Sequence, residues 1–239
     1  MSGSVYNYRK MVEEPWGKMF YDQIFEQLVL PTDKRLNILD FGAGFCITSG
    51  HYAKDHDVTS VEPNEEMYGV RFEGAYTLIT KGIEYLSGIT DNTYDVVICH
   101  NVLEYAEDKE TILKELERVL KPGGKLSVIK HNVFGRALAS AVFGDDPKAS
   151  LDLLSGEKED SIFGNRDVYP NEYLTDLFSG EMTLEEVFGI RAFFGLSKNN
   201  EIKYTDDWYK NMLELEIKAS RMDEYKRIAF FNHLIFRKN

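Results

Sequence analysis

The chain has 239 residues, of which 43% are apolar and 13% are aromatic, and its formal net charge is −12 at pH 7. This length and composition are typical of a folded globular protein and exclude a disordered chain. No apolar run approaches the roughly 20 residues that a membrane-spanning helix requires, and we expect no secretory signal because the N-terminal segment lacks an apolar region.

The two cysteines and the charge indicate a cellular location and a class of partner. Cys46 and Cys99 lie in apolar surroundings, so we expect reduced thiols and a cytoplasmic location. No Cys/His cluster has the spacing of a zinc site, and no metal is expected. The negative net charge argues against broad, non-specific binding to nucleic acid. Residues 191–239 nevertheless carry 10 Lys and Arg against 7 Asp and Glu, so a small basic face is compatible with the sequence.

The first part of the chain alternates between helical and strand-like segments. Apolar residues at helical spacing predict an N-terminal helical lid over residues 1–30. From there to residue 132, short apolar strands are separated by helices, and YDVVIC (94–99) is typical of a strand buried on both faces. This alternation predicts an α/β, Rossmann-like fold in which a mostly parallel sheet has helices on both faces.

The pattern changes after residue 132. Residues 133–170 form a long, non-repeating segment, which in an α/β domain is usually a lid or a substrate element, so we expect an inserted cap on the substrate side. From residue 171 onward the pattern predicts a helix, a strand, a second helix and a final strand. The simplest organisation is a single domain that spans residues 1–239.

The first predicted strand leads into a glycine loop, NILDFGAGFC (37–46). The strand ends at Asp40, and the turn is followed by a helix, so backbone N–H groups and a helix N-terminus face a ligand. Gly42 and Gly44 match a dinucleotide loop, but Cys46 stands where the third glycine belongs. A ligand without a pyrophosphate does not need that glycine. S-adenosylmethionine is such a ligand, and a plain strand-to-helix turn is the alternative.

An acidic residue ends the second predicted strand. Glu62 follows Asp40 by 22 residues, and a carboxylate there can accept hydrogen bonds from both hydroxyls of a ribose. Pro63 comes next, and Met67 is placed to pack against an adenine ring. The alternative is that Asp40 and Glu62 simply cap the following helices.

If the ligand of the loop is S-adenosylmethionine, the reaction is a methyl transfer, which depends on positioning more than on catalysis by side chains. The reaction is an in-line displacement at a sulfonium methyl group, and the protein aligns the nucleophile with it. A carboxylate acceptor is already ionised near pH 7 and needs no general base. If the acceptor were an amine, a hydroxyl or a carbon acid, the candidate bases are His100, His131 and Tyr105.

Four polar residues at the end of the predicted strand KLSVIKHN (125–132) or just after it are candidates for contact with the substrate. His131 and Asn132 close the strand at the sheet edge where such folds bind ligands. Lys130 and Arg136 could hold a carboxylate or a phosphate, and arginine is suited to bidentate pairing. The structural alternatives are a capped strand end for the first pair and solvated surface charges for the second.

Three motifs together resemble the class I S-adenosylmethionine-dependent methyltransferases: DFGAG (40–44), YDVVICHNVLEY (94–105) and LKPGGKL (120–126). The resemblance implies a seven-stranded sheet whose last two strands, 183–196 and 228–237, are antiparallel. It also implies an enzyme that uses S-adenosylmethionine and releases S-adenosylhomocysteine. The contacts it implies are the methionine moiety over Gly42, Ala43 and Gly44, the ribose on Glu62, the adenine beside Gly82 and Ile83, and the sulfonium side near His100.

Segments outside the cofactor motifs are similar to the tRNA 5-carboxymethoxyuridine methyltransferase family, which methylates the carboxylate of a wobble-base modification. They are HNVLEYAED (100–108), GGKLSVIKHNVFGRALASAVFG (123–144) and GIRAFFG (189–195). An arginine that touches the cofactor in that family has no evident counterpart near the N-terminus here, and Lys18 is a candidate replacement.

Three functional hypotheses follow. The chain methylates a modified wobble uridine of tRNA, or it methylates a small molecule over which residues 133–170 close, or it binds S-adenosylmethionine without turnover. The expected partner is therefore a methyl acceptor, either a small molecule or tRNA. No feature of the sequence indicates an obligate protein partner or a membrane.

Overall fold

The structure is a computed structural model that describes residues 3–157, 159–161 and 164–239. Two helices form at the N-terminus, α1 (Gly3–Met11) and α2 (Pro15–Gln27), where the sequence predicts helix. A proline fits the first turn of α2 because that N–H has no acceptor within the helix. None of the helices in the described ranges is both long and apolar enough to cross a membrane.

The next part of the chain contributes five strands of the main sheet. Its elements are β1 (Asn37–Phe41), α3 (Ile47–Tyr52), β2 (Asp57–Val61), α4 (Glu65–Tyr68), β3 (Thr77–Ile79), a 3₁₀ helix (Ile83–Gly88), β4 (Tyr94–His100), a 3₁₀ helix (Leu103–Tyr105), α5 (Lys109–Val119) and β5 (Leu120–His131). Helix α5 begins where the Asp108 carboxylate accepts a hydrogen bond from the Thr111 amide, which is an N-cap.

The rest of the chain contributes the last two strands of the main sheet. Its elements are α6 (Val133–Val142), α7 (Pro147–Leu154), β6 (Glu159–Ser161), β7 (Gly164–Arg166), α8 (Asn171–Leu177), β8 (Met182–Ile190), 3₁₀ helices (Phe194–Leu196 and Ile202–Tyr204), α9 (Asp206–Ala219), α10 (Asp223–Lys226) and β9 (Phe231–Lys238). Strands β6 and β7 pair with each other in a separate two-stranded sheet.

The main sheet has seven strands in the order β3-β2-β1-β4-β5-β9-β8. The pairs from β3 to β5 are parallel, and β9 is antiparallel to both β5 and β8. The expectation of an α/β, Rossmann-like, mostly parallel sheet is confirmed. Strands β8 and β9 are adjacent in space but are joined through α9 and α10, so their connection is long. Because the strand order reverses between β1 and β4, a ligand crevice is expected at the carboxyl ends of these two strands.

Alternate residues of the central strands pack on opposite faces of the sheet. Leu39 and Val97 belong to a core with Leu113 of α5, whereas Ile38 and Val96 belong to a core on the other face. Both faces are therefore covered, as the apolar run of β4 predicts. The polar residues that end the strands, Asp40, Glu62, His100 and His131, are left together at one edge.

Residues 133–170 have more regular structure than the sequence predicts, since α6 and α7 lie within them together with the small hairpin. Both helices carry N-cap signals: the Asn132 side chain accepts from the Phe134 amide, and the Asp146 side chain accepts from the Ala149 amide. Lys158, Ile162 and Phe163 lie outside the described residues.

Candidate active site

A cavity of about 1500 Å³ opens at the carboxyl edge of the sheet. It is bounded by α1 and α2 on one side and by α6 and the segment after β8 on the other. Most of the residues that the sequence predicts for a site line it: Asp40, Gly42, Ala43, Gly44, Glu62, Pro63, Met67, His100, His131 and Arg136. The predicted N-terminal lid, residues 1–30, also lines the cavity through Trp16, Phe20 and Tyr21.

The amide groups of the glycine loop are engaged within the protein. The N–H groups of Gly42 and Ala43 donate to the carbonyl oxygen of Val61 at 2.8 and 3.0 Å, and that of Gly44 donates to Glu62 Oε2 at 2.8 Å. The loop is thus tied to β2 and does not turn these amides toward a phosphate. This arrangement supports the interpretation that the loop holds a ligand without a pyrophosphate.

The backbone at the third glycine position retains the conformation that favours glycine. Cys46 has φ +58° and ψ +29°, in the left-handed region where a side chain costs roughly 1–2 kcal/mol. Gly42 and Gly44 also have positive φ, at +76° and +55°. Cys46 is fully buried, so its packing offsets the conformational cost. The cysteine therefore occupies a backbone conformation that glycine adopts most easily.

Glu62 links two loops at the edge of the cavity. Its Oε2 accepts from the Gly44 amide and its Oε1 accepts from the Asn64 amide, both at 2.8 Å. Burial raises the pKa of Glu62, and the two amides oppose that shift. Each carboxylate oxygen keeps a second lone pair, so the side chain can accept further hydrogen bonds from a ligand.

Asp40 lies at the start of a buried polar chain. Its Oδ2 accepts from Ser49 Oγ at 2.6 Å, and Ser49 Oγ accepts in turn from Ser60 Oγ at 2.6 Å. Burial raises the pKa of Asp40 from 3.8 to about 6, although the hydrogen bond from Ser49 opposes the shift. The carboxyl group is therefore costly to ionise in the folded protein.

This raised pKa predicts a pH dependence of stability. The folded state holds the proton of Asp40 more tightly than the unfolded chain does. The contribution of Asp40 to the free energy of unfolding is therefore fully present below pH 4 and is lost as pH rises through about 6. The loss amounts to about 3 kcal/mol. We expect Asp40→Asn, which still accepts from Ser49, to gain stability relative to the native protein by about that amount between pH 4 and pH 7. Urea unfolding of both proteins at pH 4 and pH 7 measures this gain. A difference in the free energy of unfolding between Asp40→Asn and the native protein that does not change with pH would contradict the prediction.

The family follows from comparison with known proteins. A family model described as "Methyltransferase domain" matches residues 39–128. The ubiquinone biosynthesis O-methyltransferase of Xanthomonas oryzae pv. oryzae is 30% identical over 179 residues, which cover 70% of this chain and 73% of that protein. The chain belongs to the class I S-adenosylmethionine-dependent methyltransferases. The expected family, enzyme class and cofactor are confirmed.

One further relative and one solved structure are similar to this methyltransferase. The tRNA 5-carboxymethoxyuridine methyltransferase of Escherichia coli K12 is 28% identical over 151 residues, covering 60% of this chain and 54% of that protein. A solved chain from Listeria monocytogenes, described as an S-adenosylmethionine-dependent methyltransferase, superposes with a TM-score of 0.61 at 14% identity, covering 92% and 98% of the two chains. The structural likeness shows the fold.

The residues of the cavity fit the cofactor. Glu62 has acceptor capacity for the ribose hydroxyls, and Met67 packs against the loop backbone at Gly44, where an added Cβ would lie 3.1 Å from Met67 Cε. The ionisable Asp40 faces the same space. When bound, S-adenosylmethionine supplies an electrophilic methyl group. The assignment of each contact in this methyltransferase stays a prediction.

Three residues predicted to contact the cofactor do not line the cavity. The side chain of Lys18 is 59% exposed, and its Nζ contacts Asp22 Oδ2 at 2.6 Å and lies over the ring of Tyr209. The Gly82 amide donates to the carboxylate of Glu84 at 2.8 Å, and Ile83 packs against the core. Contact of these three residues with the cofactor stays a prediction, and their positions outside the cavity lining do not support it.

Two predicted substrate residues are engaged elsewhere in the protein. Lys130 is buried, and its Nζ donates to the carbonyl oxygens of Tyr169 at 2.6 Å and His131 at 3.2 Å. Burial lowers the pKa of Lys130 to about 8. The Asn132 amide donates to the carbonyl oxygens of Arg227 and Ala229, both at 2.8 Å. Lys130 thus holds the end of β5 to the segment before α8, and Asn132 holds the start of α6 to the segment before β9, so both side chains have a structural use.

His100 ends a directional chain of hydrogen bonds. Gln27 donates to the Gly189 carbonyl, so its Oε1 accepts from His233 Nδ1 at 2.9 Å. His233 Nε2 then accepts from Ser127 Oγ at 2.7 Å, and Ser127 Oγ accepts from His100 Nε2 at 2.8 Å. Burial lowers the pKa of both imidazoles. His100 is therefore neutral, with Nδ1 as an acceptor, and this nitrogen is buried without a partner among the described residues.

Sequence reasoning missed several residues of this site. Arg166, Arg191 and Lys203 line the cavity together with Tyr8 and Asn101. Arg191 directly follows β8, which runs parallel to β5 because both are antiparallel to β9. Its position at the carboxyl edge could have been found from the expected order of the last strands. Arg166 lies in the β7 hairpin, for which the sequence shows no clear signal.

Proposed function

We propose that this methyltransferase acts on a small acidic molecule whose anionic group is bound by arginines of the cavity. The observation that carries the proposal is Arg191. Its guanidinium lies 5.2 Å from the ring centre of Phe230, 5.4 Å from that of Trp16 and 5.6 Å from that of Phe194. The group thus lies in an aromatic wall of the cavity.

Arg191 has no carboxylate partner within 4 Å in the described part of the chain. The nearby Glu216 accepts instead from the backbone amides of Ala192, Phe193 and Phe194, at 2.7–2.9 Å. Burial lowers the pKa of Arg191 to about 10, and its Nε is buried without a hydrogen-bond partner among the described residues. A cation in such surroundings is costly unless an anion joins it. A carboxylate or a phosphate on the acceptor would fill that role.

Two more arginines line the cavity. The guanidinium of Arg136 lies 4.9 Å from the ring centre of Phe230, which also contacts Arg191. Arg166 donates from Nε to the hydroxyl of Tyr105 at 3.0 Å. In a protein with a net charge of −12, this concentration of positive charge favours an anionic acceptor.

The walls of the cavity favour a small molecule over a macromolecule. The N-terminal helices contribute Val5, Tyr8 and Trp16, and Phe143, which follows helix α6, also lines the cavity. Aromatic residues such as these bury flat, apolar ligands. A planar acid of modest size would be enclosed there. Methylation of a carboxylate on tRNA is the second candidate, and the relative from Escherichia coli supports it.

Acceptor screening tests the proposal. We expect hydroxybenzoates to be methylated at least about tenfold faster than the matching hydroxybenzamides, since an ionic hydrogen bond contributes roughly 1.5–3 kcal/mol. Arg191→Met keeps the apolar packing, and we expect it to raise KM for the acid at least about tenfold while the affinity for S-adenosylhomocysteine changes less than about twofold.

A matched control distinguishes the loss of the Arg191 contact from the loss of one positive charge anywhere on the protein. Arg221→Met removes an arginine that is 61% exposed and contacts Glu186, and we expect KM to stay within about twofold of the native value. Equal use of acids and amides, or an unchanged KM in Arg191→Met, would contradict the proposal.

A further inference from the structure

A buried carboxylate–imidazole pair, Glu104 and His131, lies at the wall of the cavity. Glu104, in the 3₁₀ helix after β4, places Oε1 2.7 Å from the backbone amide of His131 and 3.0 Å from its Nδ1. Both side chains are buried, and the pair spans the carboxyl ends of β4 and β5. The second oxygen of Glu104, Oε2, has no hydrogen-bond partner among the described residues.

This geometry determines which nitrogen of His131 carries the proton. Burial alone would raise the pKa of Glu104, but the hydrogen bonds from His131 lower it overall, so the carboxylate is ionised and can only accept. Nδ1 is therefore the donor. Burial lowers the pKa of His131 to about 4, although Glu104 opposes that shift, so the ring is neutral near pH 7. Its Nε2 then carries a lone pair.

His131 also lines the cavity, on the same wall as Phe231, whose ring centre lies 4.6 Å from that of the imidazole. With Nδ1 turned to Glu104, Nε2 is the nitrogen left for a ligand. We infer that His131 is the general base of the reaction and that the methyl group is accepted by a hydroxyl oxygen, an inference that rests on the proposed function. Glu104 is a positioning residue.

The proton and electron balance of the step is complete without another reactant. The hydroxyl proton of the acceptor moves to Nε2 of His131. The acceptor oxygen forms a bond to the methyl carbon, the carbon–sulfur bond breaks, and its electron pair stays on sulfur. The imidazolium that results is stabilised by the Glu104 carboxylate, and it returns its proton to solvent. The arginines hold the anionic group of the same molecule.

The charges that face His131 set the pH range in which it can act. Glu104 favours the imidazolium, while Arg166 and Arg136 oppose it, and the ammonium of Lys130 contacts the His131 carbonyl. Since a general base must be unprotonated, activity is retained above the pKa of about 4 and falls as pH drops through it.

Nitrogen-15 NMR of the histidine side chains tests the protonation state without any turnover. In the protein saturated with S-adenosylhomocysteine, we expect His131 to show a protonated Nδ1 and an unprotonated Nε2 at pH 7. The signal is assigned by its loss in His131→Asn. A protonated Nε2, or an imidazolium at pH 7, would overturn the inference.

Product chemistry and two variants test the role in catalysis. With a hydroxybenzoate as acceptor, we expect a methyl ether that survives mild alkali. His131→Asn keeps an N–H for Glu104 but has no basic nitrogen, and we expect kcat to fall by at least about 100-fold with unchanged affinity for S-adenosylhomocysteine. Glu104→Gln removes the charge that stabilises the imidazolium, so the acidic limb of the pH profile should move to lower pH while kcat falls by about tenfold.

The failures of the two proposals are distinguishable. An alkali-labile methyl ester, or full activity of His131→Asn, would overturn the general base and leave the binding of acidic acceptors intact. Equal methylation of acids and amides would contradict the acidic acceptor, while the NMR result would still decide the state of His131.

Discussion

Glu62→Ala is expected to weaken the binding of S-adenosylmethionine by at least about tenfold, since hydrogen bonds to charged groups contribute roughly 1.5–3 kcal/mol. The substitution removes the acceptor that we assign to the ribose. It also releases the amides of Gly44 and Asn64, which donate to the two carboxylate oxygens. Both effects act on the same edge of the cavity, so a loss of stability is expected together with the loss of affinity.

Calorimetric titration with S-adenosylhomocysteine measures this loss. Glu62→Gln should be intermediate, because an amide can satisfy one of the two backbone donors and repels the other. Glu65→Ala is the matched control, since Glu65 is exposed in the first turn of α4. Native affinity in Glu62→Ala, with the protein folded, would remove Glu62 from the cofactor site.

Gly42→Ala is expected to destabilise the protein strongly and to abolish cofactor binding. Gly42 has φ +76°, and an added Cβ would lie 2.2 Å from Cγ2 of Val102. The left-handed conformation costs an alanine about 1–2 kcal/mol, and the overlap adds roughly 1–3 kcal/mol. Thermal or urea unfolding gives the stability, and the same titration gives the affinity.

Gly123 offers a control with the same backbone strain. Its φ is also +76°, but among the described residues no atom beyond its chain neighbours lies within 4 Å of an added Cβ, so Gly123→Ala should show the conformational cost alone. Combining Gly42→Ala with Val102→Ala removes the overlapping methyl groups and should recover part of the lost stability. The account of the loop would be wrong if Gly42→Ala and Gly123→Ala were equally stable.

Much of the site could be predicted from the sequence because it is built at strand ends. Asp40, Glu62, His100 and His131 each follow an apolar run, and parallel strands bring their carboxyl ends to one edge. Local pattern and simple topology are enough for such residues. The same reasoning did not anticipate that Glu104 would be a buried partner of His131, because that contact joins the 3₁₀ helix after β4 to the end of β5, 27 residues further along the chain.

Other residues depended on contacts that local sequence does not encode. Lys130 and Asn132 have the chemistry of substrate ligands, yet their donors meet backbone carbonyls of distant segments. Lys18 is turned to Asp22 on the surface. Arg191 lies almost 150 residues after the glycine loop and reaches the cavity only through the pairing of β8 with β9. Chemical type identified the candidates, and packing decided which of them face the cavity.

The most direct test of the central claim is transfer of labelled methyl groups from S-adenosylmethionine into two pools in parallel, a charge-fractionated extract of small molecules and unfractionated tRNA. Our account predicts label in the acidic small-molecule fraction and none in tRNA. Label confined to tRNA and released by mild alkali would contradict it, because the acceptor would then be a carboxylate on a nucleic acid.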